Sequence, residues 1–308
     1  MPKGTRLLSA LVAIALSLSG CKRQSSEPPI QGIAGLPDGS TPATQTVVTV
    51  NAVEAVVTAS RGKVELSRGS SGSWADAKVG DRLGVTDMLR TDTGEADLAV
   101  DGVKVRLHEA SSLLLKSVEK RAMRTRVRGS LESEVDPTGR LDVEVEESDA
   151  TASSQGGHFF VTSSGKGVIA VAAVTGTVHL TSQGKTVDVH KGEISRIGGP
   201  AASPSLPAAA LRRVLLSVQW PNIQETNQPS VPIAGRVEPG SRVFVQGQPV
   251  VVEAGGLFRA EVPLKQGKQK IAVVTVDALG RRKQVEGTVK RDDSLPAVKV
   301  KKKLWQWR

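Results

Sequence analysis

The stretch Ala96-Asp-Leu-Ala-Val-Asp-Gly-Val-Lys-Val-Arg-Leu107 alternates apolar and polar residues on both sides of Asp101-Gly102. Period-two alternation marks a half-buried strand, and Asp-Gly between two such runs is the strongest short hairpin signal. Lys63-Val-Glu-Leu-Ser-Arg68 repeats the pattern upstream and places Val64 and Leu66 on one face. Downstream, Val187-Asp-Val-His-Lys-Gly-Glu-Ile-Ser-Arg-Ile197 reads as another strand pair around Lys191-Gly192. Helical periodicity is weak throughout, so the expected class is all-β. With 31 Gly and 16 Pro in 308 residues, the composition fits many short strands and turns.

Hydrophobic residues make up 39% of the chain, enough for real cores, but there is no Tyr and only four Phe and four Trp. The cores must therefore be built from Val, Leu, Ile and Ala. At ~100–200 residues per domain, the length predicts two globular domains plus connecting sequence. A single Cys excludes a disulfide framework and any Cys-based zinc site. His108, His158, His179 and His190 are scattered without an accompanying Ser or carboxylate motif, and no Gly-rich phosphate loop leads from a strand into a helix. The expectation is a non-enzymatic protein without cofactor or metal.

The N-terminus sets the expected compartment. Met1-Pro-Lys-Gly-Thr-Arg6 is a short basic stretch, Leu7–Leu16 is apolar, and Leu18-Ser19-Gly20-Cys21 follows. This is the order of a secretory signal peptide, and the apolar run falls short of the ~20 residues that span a bilayer. Leu18, Ser19, Gly20 and Cys21 resemble the bacterial lipobox, in which the Cys is acylated and becomes the first residue after cleavage. The expected division is a signal peptide at 1–20, then the lipidated Cys and a flexible Pro/Ser/Gly/Gln tether at 21–46. Acyl chains at ~0.8 kcal/mol per buried methylene would hold the protein to a membrane. Removing residues 1–20 takes Lys3 and Arg6 away, so the formal charge falls from +10 to +8. Lys22 follows the Cys where an Asp would favour the inner membrane, so the expected location is the cell envelope, with the outer membrane facing the periplasm preferred.

Strand patterning continues to Ile197. Residues 198–213 read as a Pro/Ala linker, 214–291 as a second β block, and 292–308 as a basic tail with Trp305 and Trp307. Within 47–197, three stretches carry a resemblance: Ser60-Arg-Gly-Lys-Val-Glu-Leu-Ser-Arg68, Trp74-Ala-Asp-Ala-Lys-Val-Gly-Asp-Arg-Leu83 and Asp87-Met-Leu-Arg-Thr-Asp-Thr-Gly-Glu-Ala-Asp-Leu98. Together with Asp101-Gly102 and Thr175-Gly-Thr-Val-His-Leu180, they resemble a FecR domain. That resemblance implies a twisted stack of short β-strands. Trp74 is expected as a core plug rather than a ligand platform, and Gly80-Asp81 as a turn. The best-known FecR regulators place this domain after a cytoplasmic anti-sigma region and one transmembrane helix. Here it follows a lipobox and tether, so direct contact with a sigma factor is not implied. What the resemblance implies instead is a capacity to pair with another protein or an envelope polymer.

The second block contains Val231-Pro-Ile-Ala-Gly-Arg-Val-Glu-Pro-Gly240, Gly255-Gly-Leu-Phe-Arg-Ala-Glu-Val-Pro-Leu-Lys-Gln-Gly267 and Ile271-Ala-Val-Val-Thr-Val-Asp-Ala-Leu-Gly280. It is similar to bacterial immunoglobulin-like domains of the glucodextranase type, which implies a β-sandwich of seven short strands. Phe258 belongs in its core, and Asp277 and Gly280 in a turn.

Two charge features remain. Arg124, Arg126 and Arg128 share one strand face, and Asp142, Glu144 and Glu146 share another. If these strands are neighbours, the charges form either a solvated ladder or a partner-docking surface. Lys299, Lys301, Lys302, Lys303 and Arg308 with Trp305 and Trp307 suit an anionic lipid or wall-polymer surface, or else a terminal strand packing its Trp residues. Nucleic acid is not an expected partner. The expected function is a non-catalytic, lipid-anchored binding or scaffold protein whose partner is an envelope protein or peptidoglycan. The alternatives are a sensor acting through a membrane-spanning partner and a glycan-binding accessory protein.

Overall fold

The computed structural model describes residues 53–69, 71–199, 201–210, 212–221 and 225–294. Cys21, Leu18, Ser19, Gly20 and the tail cluster Lys299, Lys301, Lys302, Lys303, Trp305, Trp307 and Arg308 lie outside the described residues. Among the described residues every regular element is a strand, so the protein is all-β.

In chain order the first strands are β1 (Ala55–Arg61), β2 (Val64–Ser67), β3 (Ala75–Asp76), β4 (Arg82–Leu83), β5 (Met88–Thr91), β6 (Glu95–Val100) and β7 (Val103–Leu107). Next come β8 (Ser111–Glu119), β9 (Ala122–Arg128), β10 (Ser130–Val135), β11 (Arg140–Val145) and β12 (Thr151–Ser154). They are followed by β13 (Gly157–Ser163), β14 (Val168–Ser182), β15 (Lys185–His190), β16 (Glu193–Gly198) and β17 (Ala208–Ala209). The second block holds β18 (Leu216–Gln219), β19 (Glu225–Thr226), β20 (Ser230–Val237), β21 (Arg242–Val245) and β22 (Gln248–Val250). It closes with β23 (Leu257–Pro263), β24 (Gly267–Val276) and β25 (Arg282–Arg291).

Residues 53–198 fold into two sheets. Sheet A pairs β4, β1, β6, β7, β10, β13, β14, β16 and β17 in that order. Sheet B pairs β3, β2, β5, β8, β9, β11, β12, β14 and β15. The β6–β7 hairpin that decided the class turns at Asp101-Gly102, where Gly102 takes φ 76°. The inner faces of both sheets supply one core, including Leu83, Leu98, Leu113, Leu131, Phe159 and Leu180, each at 0% exposure. Burying each such side chain favours folding by ~1.5–3 kcal/mol.

The 15-residue β14 belongs to both sheets. Its first half pairs with β13 and β16, and its second half with β12 and β15. Consequently β15 and β16 do not pair with each other, contrary to the expected strand pair around Lys191-Gly192. Each lies against a different half of β14, in a different sheet. The stretch Gly129–Arg140, expected as a connection with an Asp-Pro turn, contains β10, which crosses to sheet A before β11 returns to sheet B. That excursion makes β9 and β11 parallel neighbours.

Trp74 corrects another expectation. It is half-buried beside β3 rather than a core plug, and the Arg90 guanidinium lies 4.0 Å from its ring centroid. Gly80 is at φ 93°, and the Asp81 carboxylate accepts from the Lys78 amide at 2.8 Å, so that turn forms as read.

The second block has eight strands, one more than expected. A three-stranded sheet β18-β20-β23 and a five-stranded sheet β19-β25-β24-β21-β22 enclose Phe258, Ile233, Val273 and Ile271. Part of the expected linker is strand, since Ala208–Ala209 pairs with β16, and the Ser205 hydroxyl accepts from the Arg196 amide.

Six consecutive residues, Val168–Ala173, are buried because sheet A is covered there on both faces. Ile169, Val171 and Ala173 point into the main core, while Ala170, Ala172 and Ile194 meet Ala278 of the second block. Polar clamps flank this contact. Arg196 pairs with Glu238 and donates to the Pro239 carbonyl at 2.9 Å. Arg282 meets the Glu109 carboxylate at 2.9 Å, and Arg242 donates to the carbonyls of Glu109 and Ala110, each at 2.7 Å. The Asp277 carboxylate ties the β24–β25 loop by accepting from the amides of Leu279 and Arg281. The two blocks therefore share a packed, hydrogen-bonded seam.

Candidate functional site

The outer face of sheet B carries the charge ladder. Alternation along β9 buries Thr125 and Val127 and leaves Arg124, Arg126 and Arg128 exposed, while β11 buries Leu141 and Val143 beneath Asp142 and Glu144. The parallel register sets Arg124 opposite Asp142 and Arg126 opposite Glu144. Arg124 Nε lies 2.9 Å from Glu144 Oε1, and Arg126 Nη2 lies 2.8 Å from Glu144 Oε2. A β-bulge in β8 between Leu115 and Ser117 frees Lys116 from the register and lets its ammonium reach Glu144 Oε2 at 3.4 Å. Burial raises the Glu144 carboxyl, but the Arg126 hydrogen bond and the charges of Lys116, Arg124 and Arg126 outweigh it and hold it below the usual value. Three cations thus surround one carboxylate, and the Arg124 and Arg126 side chains remain 54% and 44% exposed.

The registers extend this ladder into two transverse rows. One runs Arg126, Glu144, Thr151, Thr181, Thr186, and the other runs Arg124, Asp142, Ser153, His179, Asp188. At ~4.8 Å per strand, five strands make a polar strip of about 19 Å. Within it His179 Nδ1 and Asp188 Oδ1 are 2.7 Å apart, and the Thr181 and Thr186 hydroxyls are 2.8 Å apart. The other edge of the sheet adds Arg90, whose Nε donates to Glu65 at 2.7 Å while its guanidinium stacks on Trp74. The strip is open, flat and rich in exchangeable donors and acceptors.

A second polar cluster lies on sheet A, in the row Asp97, Arg106, Glu132, Phe160, Ala172, Ile194. The row turns from polar to apolar where the second block begins to cover it. Arg106 Nε donates to Asp97 at 2.7 Å, and Glu132 lies between His158 Nε2 at 2.9 Å and His108 Nε2 at 3.5 Å. Both imidazoles stack against Phe160, with centroids 5.3 and 6.3 Å away. Three of the four His therefore do meet carboxylates, which the sequence did not show because every partner lies across a strand boundary, 9 to 26 residues away along the chain. Among the described residues no group of three or more His, Cys, Asp or Glu side chains is placed to hold a metal ion.

No family model matches the chain, and no curated protein matches it. Among solved structures, a protein from Parabacteroides distasonis proposed to be an anti-sigma factor is 15% identical, with a TM-score of 0.35 over 40% of this chain and 59% of that one. The fibronectin(III)-like modules of Clostridium thermocellum CbhA are 11% identical, with a TM-score of 0.21 over 58% of this chain and 94% of theirs. Likenesses this distant carry no functional argument.

Proposed function

We propose that this chain is a non-catalytic, lipid-anchored protein of the cell envelope that binds a polar polymer or partner through the outer face of sheet B. The observation that carries the reading is the pair of transverse rows through Arg124 and Arg126, an open strip that the second block does not cover. Such a strip can take an extended, hydroxyl- and carboxylate-bearing chain lying across the strands. Charge-assisted hydrogen bonds from the half-exposed guanidiniums would supply its strongest contacts. Peptidoglycan has that chemistry, and the lipobox Leu18-Ser19-Gly20-Cys21 supports a location within its reach, the outer membrane facing the periplasm. The basic Trp-containing tail from Lys299 to Arg308 is a second, less specific contact to anionic surfaces.

The test is co-sedimentation of the full chain, kept soluble in mild detergent, with purified sacculi at low and high salt. Beside it run an Arg124→Gln, Arg126→Gln double variant and a chain with Lys299, Lys301, Lys302, Lys303 and Arg308 changed to Gln. Pelleting that survives salt and the tail changes but falls about tenfold in the double variant is expected, the loss of one charge-assisted contact. Pelleting lost only with the tail would reduce the interaction to electrostatic adhesion and overturn the reading.

A further inference from the structure

At the seam between the blocks is a cavity of about 210 Å³, lined by Arg128, Gly129, Glu146, Glu147, Ser163, Ser164, Gly165, Arg242 and Val251 among others. Arg242 is only 6% exposed, and its guanidinium donates to two carbonyls and to the Ser111 hydroxyl at 3.3 Å. All these acceptors are neutral, and among the described residues no carboxylate pairs with Arg242. Burial pushes its guanidinium down to about 10, so the positive charge persists at neutral pH without a counter-ion. An uncompensated buried charge is costly to hold.

The far wall carries the opposite imbalance. Arg128 and Glu146 partly neutralise one another at 3.9 Å. That leaves Glu147, exposed at the rim and without an ion-pair partner among the described residues. Its backbone sits at φ 61°, a conformation that non-glycine residues seldom hold and that concentrates at ligand sites. A lone anion in this cavity would meet Glu147, and a lone cation would meet Arg242. A ligand with one charge of each sign satisfies both. The cavity is smaller than the ~300–1,000 Å³ of drug-sized sites, and junctions between folded blocks are where such sites concentrate.

We propose that the cavity between β9, β11 and β21 binds a small zwitterion of amino-acid or dipeptide size, its carboxylate on Arg242 and its ammonium on Glu147. The site is separate from the transverse rows of sheet B, and binding there does not depend on the polymer reading.

The experiment is calorimetric titration of the full chain in detergent with three probes: alanyl-alanine, its N-acetyl derivative and its C-terminal amide. The free dipeptide should bind, and each capped form should bind about tenfold or more weakly, the worth of one charge-assisted hydrogen bond. Glu147→Gln should weaken the dipeptide about tenfold and remove its advantage over the N-acetyl form. Val251→Trp, at an exposed lining position, should block the cavity and abolish binding. Arg124→Gln with Arg126→Gln should leave dipeptide binding unchanged. Absence of binding by all three probes, equal binding of all three, or binding unaffected by Val251→Trp would overturn the proposal.

Discussion

At the scale of single residues, the account rests on positions where geometry leaves few choices. Gly157 sits at φ 115°, and a Cβ there would come within 2.4 Å of the Thr175 carbonyl oxygen, a backbone atom that cannot move aside. Gly157→Ala should cost about 1–3 kcal/mol, whereas Gly184→Ala, also at positive φ but with open space around it, should cost about 1 kcal/mol or less. Urea unfolding of the two variants checks this, and equal losses would show that left-handed backbone, not the close approach, decides the cost. Asp87 gives a pH prediction. Burial raises its carboxyl, but the amides of Gly84 and Gly69 and the Arg68 guanidinium outweigh that and hold it below the usual value. A depressed carboxyl contributes stability that is present above its unfolded value, near pH ~4, and is lost as pH falls through the folded one. Asp87→Asn should therefore cost about 1–3 kcal/mol at neutral pH and progressively less in acid. A cost that stays constant from pH 7 to 3 would contradict the assignment.

At the scale of elements, the sequence and the structure agree where the signal is local and part where it is not. The β6–β7 hairpin and the Lys78–Asp81 turn were legible because their reasons lie within a few residues. Strand β10 was not, because Asp136-Pro137 and the neighbouring charges dominate the reading of Gly129–Arg140 while only Leu131, Ser133 and Val135 alternate inward. Trp74 was misread as core because aromatic scarcity made any Trp look like filler, and its true partner, Arg90, comes from a different strand. The His–carboxylate contacts were invisible for the same reason, since cross-strand register cannot be counted along the chain. The seam between blocks was also hidden in the sequence, although the continuous apolar run Val168–Ala173 was its trace. Removing Arg196 would leave Glu238, whose side chain is 9% exposed, as an unpaired carboxyl in that seam. Arg196→Ala should then cost about 3 kcal/mol and split calorimetric unfolding into two transitions. A single transition with a loss under ~0.5 kcal/mol, the range of ordinary surface changes, would contradict the seam's role.

At the scale of the whole molecule, sheet A gives part of its outer face to the second block, and sheet B keeps its own open. The division follows from composition along the rows: Ala170, Ala172 and Ile194 attract a protein surface, while Arg124, Arg126, Asp142 and Thr151 hold water until a polar ligand displaces it. Anchoring is proposed on Cys21, so a Cys21→Ala chain should move from the membrane to the soluble fraction and lose acyl label, and retention of either would contradict the lipobox reading. The measurement closest to the central claim is arginine-selective chemical footprinting of the full chain with and without sacculi. Arg124, Arg126 and Arg140 should lose reactivity when the polymer is present, while Arg61 and Arg259, exposed elsewhere, keep theirs. Protection of Arg61 or Arg259 with Arg124 and Arg126 still reactive would place binding on another face and contradict the account.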